Sequence, residues 1–278
     1  MKTIIQLLAE ELGCKEEYVN NVVTLLDEGN TIPFIARYRK EAHGAMDDTA
    51  LRTLETRLQY LRNLQQRRDE VKSAVEAQGK LTDELARSID NAATLAEVED
   101  LYRPYKQKRR TRATVAKEKG LEPLADAIFA QDRNGKAPEE LAKDFLNPDL
   151  GVETIEDALS GASDIIAERI SDDAELRKSL RARMQKSALC ESKAAKEDED
   201  SVYRLYYDFH QPVSKLQSHQ VLALNRGEKE GYLKVALDLD RMEAMQLIQR
   251  RVVKPGSPAM AFLAAAAEDS YDRLLAPS

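Results

Sequence analysis

Cysteine is nearly absent from this chain. Cys14 and Cys190 stand 176 positions apart and no CxxC pair occurs. That excludes a disulfide framework and a structural zinc site, and it fits a reducing compartment. Histidine is scarce too: His43, His210 and His219 show no HExxH or other ligand spacing, and each is expected to be an ordinary surface or capped residue. There is no GxSxG and no glycine-rich phosphate loop ending in Lys-Ser or Lys-Thr. Gly227 and Gly231 enclose two glutamates, which would repel phosphate, so they read as turn glycines. The acids Glu197, Asp198, Glu199 and Asp200 form a solvated tract rather than a site. Catalytic residues, a cofactor and a metal are all unexpected on this evidence. Also missing is any 18-residue apolar span, and the opening MKTIIQLLAEELG places Glu10 and Glu11 where a signal peptide needs apolar or small residues. A cytoplasmic protein without a membrane partner is the expectation.

Charge is plentiful: 33% of the 278 residues are charged, and the net charge is −7. An acidic total argues against a nucleic-acid binder, but location matters more than the sum. Between Leu101 and Gly120, eight basic residues face one acid, Glu118, for a local +7 that leaves −14 on the rest of the chain.

Apolar periodicity is helical almost throughout. Ile4, Ile5, Leu8 and Leu12 recur until Gly13; Val19, Val22, Val23 and Leu26 repeat the pattern up to Gly29. Asn30 or Thr31 should cap a third short helix with Pro33 in its first turn. Three short helices with tight turns are compatible with a helix-turn-helix-like unit. Asp47 or Asp48 then opens the clearest element: Leu51, Leu54, Leu58, Leu61, Leu64, Val71 and Val75 share one stripe, interrupted only at Arg68. Carried to Gln78, this central helix would be roughly 45 Å long at about 1.5 Å per residue, long enough to act as a spine. Further helices fit 82–92, 94–103, 121–131, 138–146, 153–187, 240–251 and 257–275. Residues 221–224 and 232–237, with two glycines between them, carry a β-hairpin signal, and 188–194 could add a short strand. The expected fold is therefore mainly α: a multi-helix scaffold with a long central helix, a helix-turn-helix-like N-terminus and one small β-hairpin. Its expected divisions are 1–70, 71–215 and 216–278.

Two segments could meet a polyanion. In the first, Pro104 ends a helix, so Arg103, Lys106, Lys108, Arg109, Arg110 and Arg112 should lie on a loop running into a helix that starts near Thr111 or Thr114. Exposed cations on a loop suit phosphate backbones, which they neutralise without reading sequence. Tyr102 and Tyr105 would add stacking faces if the loop turned them outward. The same charges could equally pair with the chain's own surplus acids or meet an acidic protein. The second segment places Arg37 and Lys40 at i, i+3 and Phe34 and Tyr38 at i, i+4, where a solvated polar face competes with a phosphate or partner contact.

Three runs carry a family resemblance: Thr31–Glu41 (TIPFIARYRKE), Val98–Thr114 (VEDLYRPYKQKRRTRAT) continuing to Lys119–Leu124 (KGLEPL), and Leu224–Gly231 (LNRGEKEG). In order and spacing they resemble the N-terminal part of the bacterial Tex family, the transcription accessory proteins. The resemblance extends over essentially all 278 residues and implies a helical fold of the kind described above. It also implies a truncated piece of a longer protein, since family members continue into an RNase-H-like domain, helix-hairpin-helix elements and a C-terminal OB-type RNA-binding domain. Such proteins are similar to the core of a eukaryotic transcription-elongation factor and bind nucleic acid largely through that last domain. No catalytic residue carries over. Gln107 departs from a common proline, which should only loosen the loop. The expected role is a non-catalytic helical scaffold of an RNA-binding transcription accessory protein, touching phosphates through the basic loop. The rival is a protein-interaction scaffold that docks RNA polymerase or ribosome-associated partners, with RNA binding left to the absent domains.

Overall fold

The computed structural model describes residues 2–44, 46–107, 109–196 and 201–278. Lys108 and the tract Glu197–Asp200 lie outside the described residues. Within them the chain forms fifteen α-helices and one small antiparallel sheet, in two compact units that meet in sequence between Tyr105 and Lys106.

The first unit holds α1 (Ile4–Leu12), α2 (Glu16–Asp27), α3 (Ile32–Tyr38), α4 (Lys40–His43), α5 (Asp48–Glu76), α6 (Asp83–Asn91) and α7 (Leu95–Tyr102). Thr3 and Gln6 form a reciprocal capping box on α1, and Gly13 ends that helix at φ 64°, a left-handed conformation in which a Cβ would be strained. Pro33 sits in the first turn of α3 after Thr31. The Asp47 carboxylate caps α5 by accepting the Ala50 N–H at 2.7 Å.

Helix α5 is the spine that its periodicity predicts, 29 residues and about 44 Å long. Its seven-residue apolar stripe is buried, and Arg68 is buried with it. The Arg68 guanidinium donates to the Ala92 carbonyl at 2.7 Å, beyond the end of α6, and to the Gln65 side chain at 3.0 Å. A cation satisfies a helix-end carbonyl there, so the apparent gap in the stripe is a tie between helices. Four more cations, five residues apart along α5, reach four other helices. Arg57 forks onto Glu11 of α1 (2.6 and 2.7 Å) and Arg62 onto Asp27 of α2 (2.7 and 2.8 Å). Arg67 meets Glu99 of α7 at 2.6 Å, and Lys72 meets Asp90 of α6 at 2.7 Å. One residue of this unit departs from expectation. His43 is buried, and neither ring nitrogen has a hydrogen-bond partner among the described residues; its place on the inward face of short α4 overrides the polarity of the ring.

The second unit contains α8 (Arg112–Glu118), α9 (Glu122–Ala130), α10 (Pro138–Ala142), α11 (Ile155–Ser171), α12 (Ala174–Ser187), β1 (Leu189–Ala194), β2 (Asp208–Pro212), α13 (Ser218–Lys229), β3 (Leu233–Asp238), α14 (Arg241–Val252) and α15 (Met260–Ser270). Helix α11 is its centre, with Ala158, Ala162, Ile165, Ile166 and Ile170 buried against its neighbours. Gly161 lets α8 and α9 close in: a Cβ there would stand 2.3 Å from Leu121 and 3.2 Å from the Ala116 methyl. The single helix expected over 153–187 is two. Asp173 accepts the Leu176 N–H at 2.9 Å and so caps α12, starting a new helix where uninterrupted periodicity had concealed the break.

The expected hairpin is also corrected. Residues 221–224 lie inside α13, and β3 pairs instead with β1, matching Leu189 to Asp238 and Ala194 to Leu233. The strand anticipated at 188–194 is thus the centre of a three-stranded sheet of order β2-β1-β3, whose edge β2 had no sequence signal. Gly227 is a packing glycine within α13: a Cβ would come within 2.6 Å of Leu233 and 3.0 Å of Tyr203. Gly231, at φ 77°, is the true turn residue. This sheet and α13 enclose a small core of Cys190, Tyr203, Leu224 and Leu233, flanked by half-buried Tyr206, Tyr207 and Phe209.

Candidate nucleic-acid interface

The basic segment begins inside the first unit. Thr94 caps α7 by accepting the Glu97 N–H at 3.2 Å, and Pro104 turns the helix end into a 3-10 turn over Arg103–Tyr105. Arg103 is half-buried in that turn, and the Gln78 amide donates to the Tyr105 carbonyl at 3.0 Å. Tyr102 and Tyr105 pack on the apolar core of the first unit, and the Arg67 guanidinium lies 5.6 Å from the Tyr102 ring centre. The outward stacking faces expected of these tyrosines are therefore replaced by half-buried packing. Apolar area on both rings is better covered by the unit's core than by water.

The cations that follow belong to the second unit. Lys106, Arg109, Arg110 and Arg112 are all exposed. Thr111 ends the loop by exchanging hydrogen bonds with Thr114, a capping box that fixes where α8 begins and so where the loop stops. Internal pairing is realised for Arg110, whose Nη2 lies 2.8 Å from Glu118, but both partners are largely in water. Such a pair contributes about 0–1 kcal/mol and yields readily to a competing anion. Farther along, Lys117 pairs with Glu122 at 2.8 Å and Lys119 donates to the Gly151 carbonyl at 2.8 Å, so these two cations are engaged within the unit. Arg112 and Lys119 line a groove of about 270 Å³ with Asp157, Ser160, Gly161 and Asp164. Burial pushes the Asp164 carboxyl up, against the pull of Arg273 and Arg112, whereas hydrogen bonds from Thr154 hold Asp157 below the usual carboxylate range.

The second basic spot is built differently from its sequence expectation. Helix α3 stops at Tyr38, and Arg39 leaves helical geometry at φ −129°, ψ 38°. Arg37 and Lys40 consequently stand on two different helices rather than on one face at i, i+3. Phe34 and Tyr38 do share a face, with ring centres 5.3 Å apart, and the Arg37 guanidinium lies 5.9 Å from the Tyr38 ring. Tyr38 is 61% exposed, so this aromatic and basic cluster faces solvent.

Of the three histidines, His210 is exposed between Glu191 (3.8 Å) and Asp208 (3.5 Å), and His219 is exposed on α13. No group of three or more metal-ligating side chains occurs among the described residues, and no helix there is long and apolar enough to cross a membrane.

A pair of compact units, mainly helical with one small antiparallel sheet, defines a mainly α class of protein. Comparison with known proteins makes that specific. Residues 2–76 match the Tex-like protein N-terminal domain, and residues 133–276 match the Tex central region-like family. The chain belongs to the Tex family. It is 47% identical over 239 residues to Protein tex of Bordetella pertussis, covering 85% of this chain and 30% of that protein. It is 43% identical over 236 residues to the transcriptional accessory protein Tex of Neisseria gonorrhoeae, covering 84% and 31%. With the human S1 RNA-binding domain-containing protein 1 the identity is 30% over 247 residues, covering 85% and 24%. The chain spans about a third of the length of the curated bacterial relatives it matches.

Proposed function

We propose that this chain is the non-catalytic helical scaffold of a cytoplasmic transcription accessory protein, and that it contacts the phosphate backbone of RNA through Lys106, Lys108, Arg109, Arg110 and Arg112. The observation that carries the reading is the exposure of Lys106, Arg109, Arg110 and Arg112; where Arg110 meets a carboxylate, Glu118 at 2.8 Å, that pair is solvated. Family membership supports the transcription role, since one relative is named a transcriptional accessory protein, and another is named for an S1 RNA-binding domain. Such a loop acts without base readout: guanidinium and ammonium groups displace counterions from phosphates, which gives affinity and position but no sequence preference. Arg37, Lys40 and the Phe34–Tyr38 pair offer a second contact of the same kind, in which an exposed ring can stack on an unpaired base. Arg103, half-buried at the end of α7, anchors the start of the segment rather than its exposed part.

The test is fluorescence anisotropy with single-stranded RNA, comparing the wild type with the K108E/R109E/R110E/R112E variant. Loss of binding in the variant, with its helical circular dichroism intact, is the expected result. Unchanged affinity would remove the loop from the RNA contact and leave its charges to dock a protein such as RNA polymerase or a ribosome-associated factor.

A further inference from the structure

Helices α12 and α14 enclose a groove of about 670 Å³ in the second unit, and its lining is cationic. Arg183 enters from α12; Arg250 and Arg251 enter from the last turn of α14. Ser179 and Gln246 add neutral donors, and Leu247 is the apolar member of the lining. Helix α12 carries five basic residues against a single acid, Glu175, and Arg183 is the one that lines the groove.

We propose that this groove is a second phosphate-binding track, seating the backbone of a single-stranded nucleic acid. The proposal rests on the nucleic-acid reading given above and extends it to a surface that the basic loop does not include. Three observations carry it. First, the guanidiniums keep donors to spare. Arg250 is exposed and makes no ion pair among the described residues, Arg251 engages Asp173 through its Nε at 2.6 Å, and Arg183 stands a loose 3.8 Å from Glu243. Each fork can therefore still donate to a phosphate. Second, three guanidiniums line the groove against one carboxylate, Glu243, so the lining keeps a positive balance. Third, the cations are spread along the groove. Glu243, and Arg183 beside it, mark one end; Arg250 lies seven residues along α14, about 10.5 Å away at 1.5 Å per residue. That stagger of attachment points along the groove suits successive phosphates of one strand. An acidic peptide fits less well, because the lining is mostly polar and offers Leu247 as its one apolar side chain.

The experiment uses the full chain and a fluorescent single-stranded oligouridylate over a salt series, with R183Q/R250Q as the variant. R250Q alone serves as a second variant that disturbs no ion pair. Removing two phosphate contacts should make the log–log slope shallower by about 1.4 and weaken binding by about 25-fold at 0.1 M salt. R250Q should give about half the slope change. An unchanged slope in both variants would overturn the track. So would a variant that keeps its RNA affinity but loses binding to polyglutamate, which would make the groove a protein-docking surface. The loop variant, run alongside, separates the two readings: loss there with no change in R183Q/R250Q sinks only the groove, and the reverse pattern sinks only the loop. A wild type that shows no salt-dependent binding overturns both.

Discussion

Arg68 shows how a single side chain sets the architecture of the first unit. Its guanidinium is buried on the apolar stripe of α5 and satisfies the Ala92 carbonyl at 2.7 Å. Arg68→Leu keeps the bulk but strands that carbonyl, and should cost about 1–3 kcal/mol in urea denaturation. A variant as stable as the wild type would mean that water replaces the bond at no cost. The packing glycines make the opposite kind of claim, since they work by absence. Gly161→Ala forces a methyl against fully buried Leu121 and the fixed Ala116, for an expected loss of about 1–3 kcal/mol despite alanine's better helix propensity. A rise in Tm for this variant would show that α8 and α9 are free to back away. Neither role is legible in the sequence. An arginine in an apolar stripe reads as an interruption, and a glycine such as Gly227, between Arg226 and Glu228, reads as a turn, until the neighbouring element that explains each is in place.

At the scale of the element, α5 was legible because two independent signals agree on it: a strict apolar stripe and an aspartate cap at its start. What the stripe does not show is the row of cations that ties this helix to the others, because their partners are far away in sequence. Those ties predict a pH dependence. Hydrogen bonds from Arg57 and Arg62 hold the Glu11 and Asp27 carboxyls below their usual range. The folded state therefore binds fewer protons than the unfolded chain at these sites. Their stabilisation is complete above the unfolded values near pH 4 and is lost as the pH falls through the lowered ones. The thermal midpoint should drop on acidification below about pH 4, and R57Q/R62Q should flatten that drop while lowering neutral-pH stability only slightly, as suits exposed pairs. An identical acid profile in the variant would remove these pairs from the account. Two other elements misled the sequence reading for a common reason. Over 221–224, and across Asp172-Asp173, local pattern was weaker than tertiary packing and capping chemistry, which turned the expected hairpin arm into α13 and split one long helix into α11 and α12.

For the whole molecule, charge distribution matters more than the net −7. The basic loop is a contiguous run, so it was visible in the sequence, with a helix expected to start near Thr111 or Thr114; the Thr111 cap decides between them. The groove between α12 and α14 was not, because Arg183 and Arg250 come together only when two helices, some sixty residues apart, pack side by side. Exposure of Lys106, Arg109 and Arg110 where the two units join in sequence predicts that brief trypsin treatment cuts there first, leaving two stable fragments, and that bound RNA slows the cut. A loop that resists trypsin in the free protein would favour internal pairing of its charges. The central claim, that this chain itself touches phosphates, is tested most directly by the salt dependence of wild-type binding to single-stranded RNA. Five neutralised phosphates at the loop predict a log–log slope near −3.5, or about a 130-fold loss of affinity over a fourfold rise in salt, and occupancy of the groove would steepen it further. A slope indistinguishable from zero, or no binding at low salt, would contradict the account and leave the chain a scaffold for domains that bind RNA without it.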